Sequence, residues 1–323
     1  MVVYGQRMCR STRPAPTAWS RVGIEAQRPG NAREKRWLES VGVANIRIGA
    51  SRNSWGVSAG RVDLRREPVV PRPVTVDARP QRLTLDLTRT AVIVVDMQND
   101  FCHPDGWLAS IDVDITPARR PIEPLRRVLP LLRAAGAPVI WLNWGNRPDL
   151  ANVPPGVRHV YDPDGESGGL GAPARPGGSP TLQAGSWSAA IVDELAPEPG
   201  DLHVDKYRMS GFFDTPLDSV LRNLAVTTLL FAGVNSDQCV LATLTDAACL
   251  GYDVILLEDC AATTSPPFCH DAAVFNVAQC FGFVALSTSL VAALDPPAVD
   301  ATALDGAHAG MALPAAATTI AGS

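Results

Sequence analysis

The sequence predicts an α/β fold: a three-layer, doubly wound, Rossmann-like domain around a mainly parallel sheet of about six strands. Three observations predict it. From residue 86 onward, six short runs rich in Val, Ile, Leu and Ala recur along the chain. Stretches of helical character lie between them. The runs are apolar throughout rather than alternating, which is the pattern of strands buried on both faces of a parallel sheet. Alternating β and α elements wind into one sheet covered by helices.

In chain order, strands are expected over 91–96, 137–143, 202–205, 227–233, 253–257 and 282–286, and helices over 119–135, 187–195, 216–224, 238–250 and 268–280. The stretch 154–185 is long and rich in Gly and Pro, which suits a loop covering a site better than a linker. No internal repeat is visible. The domain is therefore placed at 86–296, with a basic N-terminal extension over 1–85 and a disordered Ala/Thr-rich tail over 297–323.

Composition narrows the class. Of 323 residues, 46% are apolar and 19% charged, enough for a sizeable core. No apolar run is long enough to cross a bilayer, so no membrane association is expected, and the N-terminus lacks the pattern of a secretory signal. Seven cysteines, an odd number without a CxxC pair, fit neither a disulfide framework nor a zinc cluster and indicate a reducing cytoplasm. Cys249, Cys260, Cys269 and Cys280 are expected to be small buried hydrophobes. Residues 1–90 hold 17 of the 28 Lys+Arg but 7 of the 33 Asp+Glu. Such a basic arm raises nucleic-acid binding. The arm lacks aromatic interleaving, so it reads instead as a disordered extension, a targeting segment or sequence upstream of the true start, with no nucleic-acid partner.

In a doubly wound sheet, ligands bind outside the carboxyl ends of the strands. Three of those ends carry chemistry. The first closes on Asp96, an acid at the end of a buried strand, costly unless paired or used. The third closes on Lys206, one of only two lysines in the chain, the other being Lys35, against 26 arginines. A lone Lys in an arginine-rich chain marks a position that wants a compact ammonium. The fourth runs through Val234-Asn235-Ser236-Asp237-Gln238 into Cys239. Ser236 or Asp237 is the expected N-cap, placing Cys239 in the first helical turn, where the dipole and a nearby Lys206 would lower its pKa.

These motifs resemble the isochorismatase-like cysteine hydrolases over roughly residues 86–295. VVDMQNDF carries Asp96, HVDKYRMSGFFDTPLDSVLR carries Lys206 and GVNSDQCV carries Cys239, in the order and spacing of that superfamily. The resemblance implies a catalytic triad of Asp96, Lys206 and Cys239, a cis bond between Val234 and Asn235, and an oxyanion hole from the amides of Asn235 and Cys239. GSWSAAIVDEL, SGFFDTPLDS and FNVAQCFGF are similar to the ureidoacrylate amidohydrolases of pyrimidine degradation. Met209 departs from that subgroup, which tends to Tyr there, as does the segment VNSDQC. WLNWGNRPDL is closer to the biuret hydrolases. The Asp-x-His and second His of metal-dependent nicotinamidases are missing, His159 standing alone, and true isochorismatases lack the cysteine.

The resemblance thus implies a hydrolase of linear amide C–N bonds, acting on a ureidoacrylate-like ureido, carbamoyl or amide compound through an acyl- or carbamoyl-cysteine, with no metal or cofactor. A biuret or N-carbamoyl amino acid amidase is the alternative, and a non-catalytic scaffold the alternative of another class. Arg147 or Arg208 would clamp a substrate carboxylate. Asn143, Trp144, Phe212 and Phe213 would wall the pocket. Relatives commonly form dimers or tetramers, so a homo-oligomer is expected.

Overall fold

The structure is a computed structural model and describes residues 46–50, 52–166 and 168–295. The expected tail over 297–323 and most of the expected extension lie outside these residues. The described residues fall into two compact units. The smaller contains 46–48 and 55–65; within it Gly56, Val57 and Ser58 pair antiparallel with Asp63, Val62 and Arg61. Arg65 grips the Asp63 carboxylate with two hydrogen bonds of 2.9 and 2.6 Å, holding it well below the usual carboxylate range.

The larger unit is built on a seven-stranded sheet. Its strands are β1 (Ala78–Arg79), β2 (Thr90–Val95), β3 (Val139–Trp144), β4 (Leu202–Lys206), β5 (Thr228–Gly233), β6 (Asp253–Ala261) and β7 (Phe283–Ala285). The spatial order is β1-β7-β6-β5-β2-β3-β4, parallel except for β1, which runs antiparallel on β7. All six expected strands are present. The seventh, β1, lies inside the stretch assigned to the extension, as do the antiparallel strands Pro73–Val76 and Leu83–Asp86. Two-residue β1 and its Arg-Pro neighbours carry no apolar run, so only pairing on the β7 edge makes it a strand.

Every residue of β2, β3 and β5 is buried, which explains their mostly apolar, non-alternating character. The principal helices are α1 (Ile122–Ala134), α2 (Pro155–Tyr161), α3 (Leu217–Asn223), α4 (Leu241–Cys249), α5 (Pro267–Asn276) and α6 (Ser287–Leu294). In α1 the buried residues Ile122, Leu125, Val128, Leu129 and Leu132 recur at helical spacing, and α6 packs against it. Cys260 is buried as expected, but Cys249 and Cys280 are exposed and Cys269 is half-buried.

The helix expected over 187–195 does not form; only Asp193–Leu195 makes a short 3₁₀ turn. The backbone groups here are spent elsewhere. The carbonyls of Trp187, Ser188, Ala189 and Ala190 accept from the Asn99 side chain, the Asp100 amide, the Gln98 side chain and the Asn99 amide, and Val192 N–H donates to Met97. Docking beside the end of β2 outcompetes helix formation.

The chain runs β2, β3, β4 toward one edge, then returns across the sheet to lay β5 on the other side of β2. The order reverses between β2 and β5, and such a reversal opens a crevice at the carboxyl edge. Gly233 closes β5 there, at φ +107°, directly beside Val95. A Cβ at this position would sit 2.0 Å from the Val95 carbonyl oxygen. Replacing Gly233 with Ala should therefore destabilise the fold by at least about 2 kcal/mol, read as a lowered urea midpoint; unchanged stability would remove the requirement for close approach of β2 and β5.

Candidate active site

Asp96 follows β2 with φ +51°, a left-handed conformation that Asp tolerates better than most residues. The chain there leaves the sheet abruptly, Gln98 N–H donating back to the Asp96 carbonyl at 2.8 Å. Gln98 then anchors the neighbouring strand: its Nε2 donates to the Trp144 carbonyl and its Oε1 accepts from the Trp144 amide, both at 2.8 Å.

Lys206 ends β4, two strands away from β2 with β3 between. Strand spacing puts it roughly 10 Å across the sheet. Its side chain spans that gap beside Trp144, with Nζ 4.6 Å from the ring centroid, and reaches 2.8 Å from Asp96 Oδ2. Nζ also donates to the Arg208 carbonyl at 3.3 Å. Both partners are essentially sealed from solvent. At 2.8 Å the Asp96 contact is a close ion pair, and the Cys239 thiol also lies against the carboxylate.

Beyond β5 the cis bond Val234-Asn235 is present. The helix that follows opens with a wide turn over Ser236–Val240, in which Val240 N–H donates to the Asn235 carbonyl five residues back, before α4 continues. The N-cap is Asn235 rather than Ser236 or Asp237, and its side chain accepts from Thr264 N–H instead of capping. The Ser236 hydroxyl meets His270 Nδ1 at 2.9 Å. The turn places the buried Cys239 thiol against both the Asp96 carboxylate and the Lys206 ammonium, with Sγ 3.6 Å from Met209 Sδ. The acid, the amine and the thiol expected at three strand ends do meet.

The electrostatics differ from the expectation in one respect. Burial raises the Asp96 pKa despite the opposing pull of Lys206. Burial alone would lower Lys206, but the charge of Asp96, joined by Cys239 only once it ionises, outweighs it and raises the ammonium pKa. The Cys239 thiol is pushed up to about 12, again by burial first, with Lys206 opposing. The sequence had suggested a lowered thiol pKa from helix dipole and lysine. Desolvation outweighs both.

The other sequence candidates divide. Trp144 is fully buried against Lys206, as a wall residue should be. Asn143 is in register with Asp205, on the face opposite Trp144 and Lys206. The Phe212 ring lies 6.1 Å from that of Tyr252, and Phe213 is 59% exposed. Arg147 is exposed and grips Asp149 through two hydrogen bonds. Arg208 donates to the carbonyls of Asn152 and Tyr207 and pairs with Asp214. Both arginines thus have protein partners, in ion pairs that are open to solvent.

Two buried polar residues, one packed on Trp144 and one two positions beyond it, escaped the sequence reading. Tyr161, at the end of α2 in the long Gly/Pro-rich stretch, packs on Trp107 and Trp144 with ring centroids at 5.1 and 5.3 Å. Burial and the neighbouring charges of Cys239 and Asp96 keep its phenol neutral. Asn146, two residues past β3, is fully buried with neither side-chain heteroatom hydrogen-bonded among the described residues. A Tyr or Asn inside a loop motif carries no periodic signal that would have marked it. Among the described residues no group of three or more His, Cys, Asp or Glu is arranged to hold a metal ion.

Residues 90–289 match the family model described as the isochorismatase domain. Among solved structures, a cysteine hydrolase from Pseudomonas syringae pv. phaseolicola 1448A is similar at 27% identity, covering 70% of this chain and 98% of its own, with a TM-score of 0.56. An isochorismatase family protein from Desulfovibrio vulgaris subsp. vulgaris str. Hildenborough is similar at 25% identity, covering 62% and 96%, with a TM-score of 0.52.

With the thiol held high, the substrate-free protein should show no Cys239-dependent thiolate absorbance between about pH 6 and 9 when compared with Cys239→Ser. A thiolate titrating near neutrality would overturn the dominance of desolvation.

Proposed function

The chain belongs to the isochorismatase domain family, and from that premise we propose that it is a cysteine-dependent amidohydrolase cleaving a C–N bond of a small ureido, carbamoyl or amide compound. The observation that carries the reading is the buried meeting of Asp96, Lys206 and Cys239 at the reversal of strand order. Its likeness to a solved cysteine hydrolase supports it.

The chemistry follows from the resting charges. Cys239 begins as a neutral thiol, so its proton must leave as the sulfur attacks the substrate carbonyl. Asp96 is the acceptor: it lies against the thiol, and burial has raised its proton affinity. Lys206 keeps that carboxylate anionic and balances the negative charge as it moves to the sulfur and the carbonyl oxygen. The amides of Asn235 and Cys239 are the proposed oxyanion donors, each worth about 3 kcal/mol in comparable sites. Asp96 then returns the proton to the leaving nitrogen as the C–N bond breaks. Water attacks the thioester or thiocarbamate, Asp96 takes its proton, and the thiol is restored.

Within this class the sequence resemblance supports ureido compounds, ureidoacrylate among them, with biuret and N-carbamoyl amino acids as the alternatives. Ammonia release from a panel of these compounds tests the reading directly. Turnover should vanish in Cys239→Ala with the fold intact, and wild-type activity in that variant would end the mechanism. Lys206→Arg should lose about 100-fold or more, because a planar fork cannot replace a point charge in a sealed gap between two strands. Near-normal rates would remove Lys206 from catalysis.

A further inference from the structure

A β-strand sends successive side chains to opposite faces, and this sorts the residues at the end of β3. Asn143 is in register with Asp205, and Trp144 with Lys206. A Cβ on Gly145 would land 2.7 Å from Asp205 Cγ, so position 145 faces Asp205 as well. Asn146 continues in extended form, bridged to Gln183, with its amide donating to Leu182 and its carbonyl accepting from Ala184. Trp144, Asn146 and Lys206 therefore share the face that carries the Asp96 ion pair.

On that face Trp144 and Asn146 are both fully buried, yet Trp144 Nε1, Asn146 Nδ2 and Asn146 Oδ1 have no hydrogen-bond partner among the described residues. Buried polar groups in folded proteins are nearly always paired, and three on the face that carries the Asp96–Lys206 ion pair point to a ligand as the missing partner. Their chemistry defines the ligand. The indole offers a donor; the carboxamide offers donors and an acceptor. None of the three is charged. The nearby ammonium, Lys206, is already paired with Asp96, and Arg147 and Arg208 are held by Asp149 and Asp214. A carboxylate brought here would lose its hydration beside the Asp96 anion with only neutral dipoles in return.

We propose that Asn146 and Trp144 are specificity-determining residues that select a neutral ureide-type group, a carbonyl beside an N–H, over a carboxylate. The substrate carbonyl accepts from Trp144 Nε1 or Asn146 Nδ2, and its N–H donates to Asn146 Oδ1. The inference rests on the amidohydrolase reading and narrows it: neutral compounds of biuret type rank above ureidoacrylate.

The test compares N-carbamoylglycinamide with N-carbamoylglycine, which differ only in a carboxamide against a carboxylate, on the full-length wild-type chain and on Asn146→Asp and Asn146→Ala. The amide should be preferred by about 100-fold or more in kcat/KM. Asn146→Asp removes donors and adds an anion, so it should lower kcat/KM on the amide by about ten-fold or more, mainly through KM. Asn146→Ala serves where the Asp variant fails to fold, judged by its thermal transition, and should reduce the preference for the amide. Equal or better turnover of the acid by the wild type overturns the inference while leaving the amidohydrolase reading in place, as do Asn146 variants with wild-type kinetics. If neither compound nor any of the ureido panel is hydrolysed in a Cys239-dependent way, the amidohydrolase reading fails and the inference with it.

Discussion

The ion pair between Asp96 and Lys206 constrains this site more than any other contact. Two opposite charges sealed from water cost several kcal/mol each to desolvate, and only close mutual approach offsets that cost. Here the approach spans two strands. It requires β3 to lie between β2 and β4, a side chain as long as lysine to reach past Trp144, and Gln98 to hold the Trp144 backbone in place. Loss of either charge would leave the other buried and unpaired.

The same burial shapes the thiol. In an exposed helix turn beside a lysine, a cysteine would tend to ionise. Against Asp96 and Met209 in the closed crevice it stays protonated. In the proposed mechanism, proton transfer is thereby tied to the arrival of a carbonyl rather than completed beforehand. A resting thiol in a sealed, neutralised site is also shielded from adventitious chemistry, unlike the exposed Cys249 and Cys280.

Packing around this centre divides into elements that follow their own sequence and elements that answer to neighbours. β2, β3 and β5 are mostly apolar because they are buried on both faces, and that pattern is readable residue by residue. The segment 187–192 has helical character in isolation yet gives its carbonyls and amides to residues 97–100. β1 exists only because the edge of β7 offers partners to Ala78 and Arg79. Local pattern predicts an element well where the element buries itself, and poorly where another chain segment supplies its hydrogen bonds.

From sequence alone came the α/β class, the six main strands, and the placement of Asp96, Lys206 and Cys239 along one edge, because Asp96 closes an apolar run, Lys206 ends its strand as the one lysine of the body, and Cys239 follows the next strand at the start of a helix. Only the tertiary structure decided which side chains stand around them. It turned Arg147 and Arg208 to Asp149 and Asp214, set Phe213 in solvent, packed Tyr161 on Trp144 and buried Asn146. It also decided the sign of the Cys239 shift. The reason is physical: strand order, the face a residue takes beyond a strand end, and the depth of burial are sums over contacts between distant segments, and no single stretch of sequence contains them.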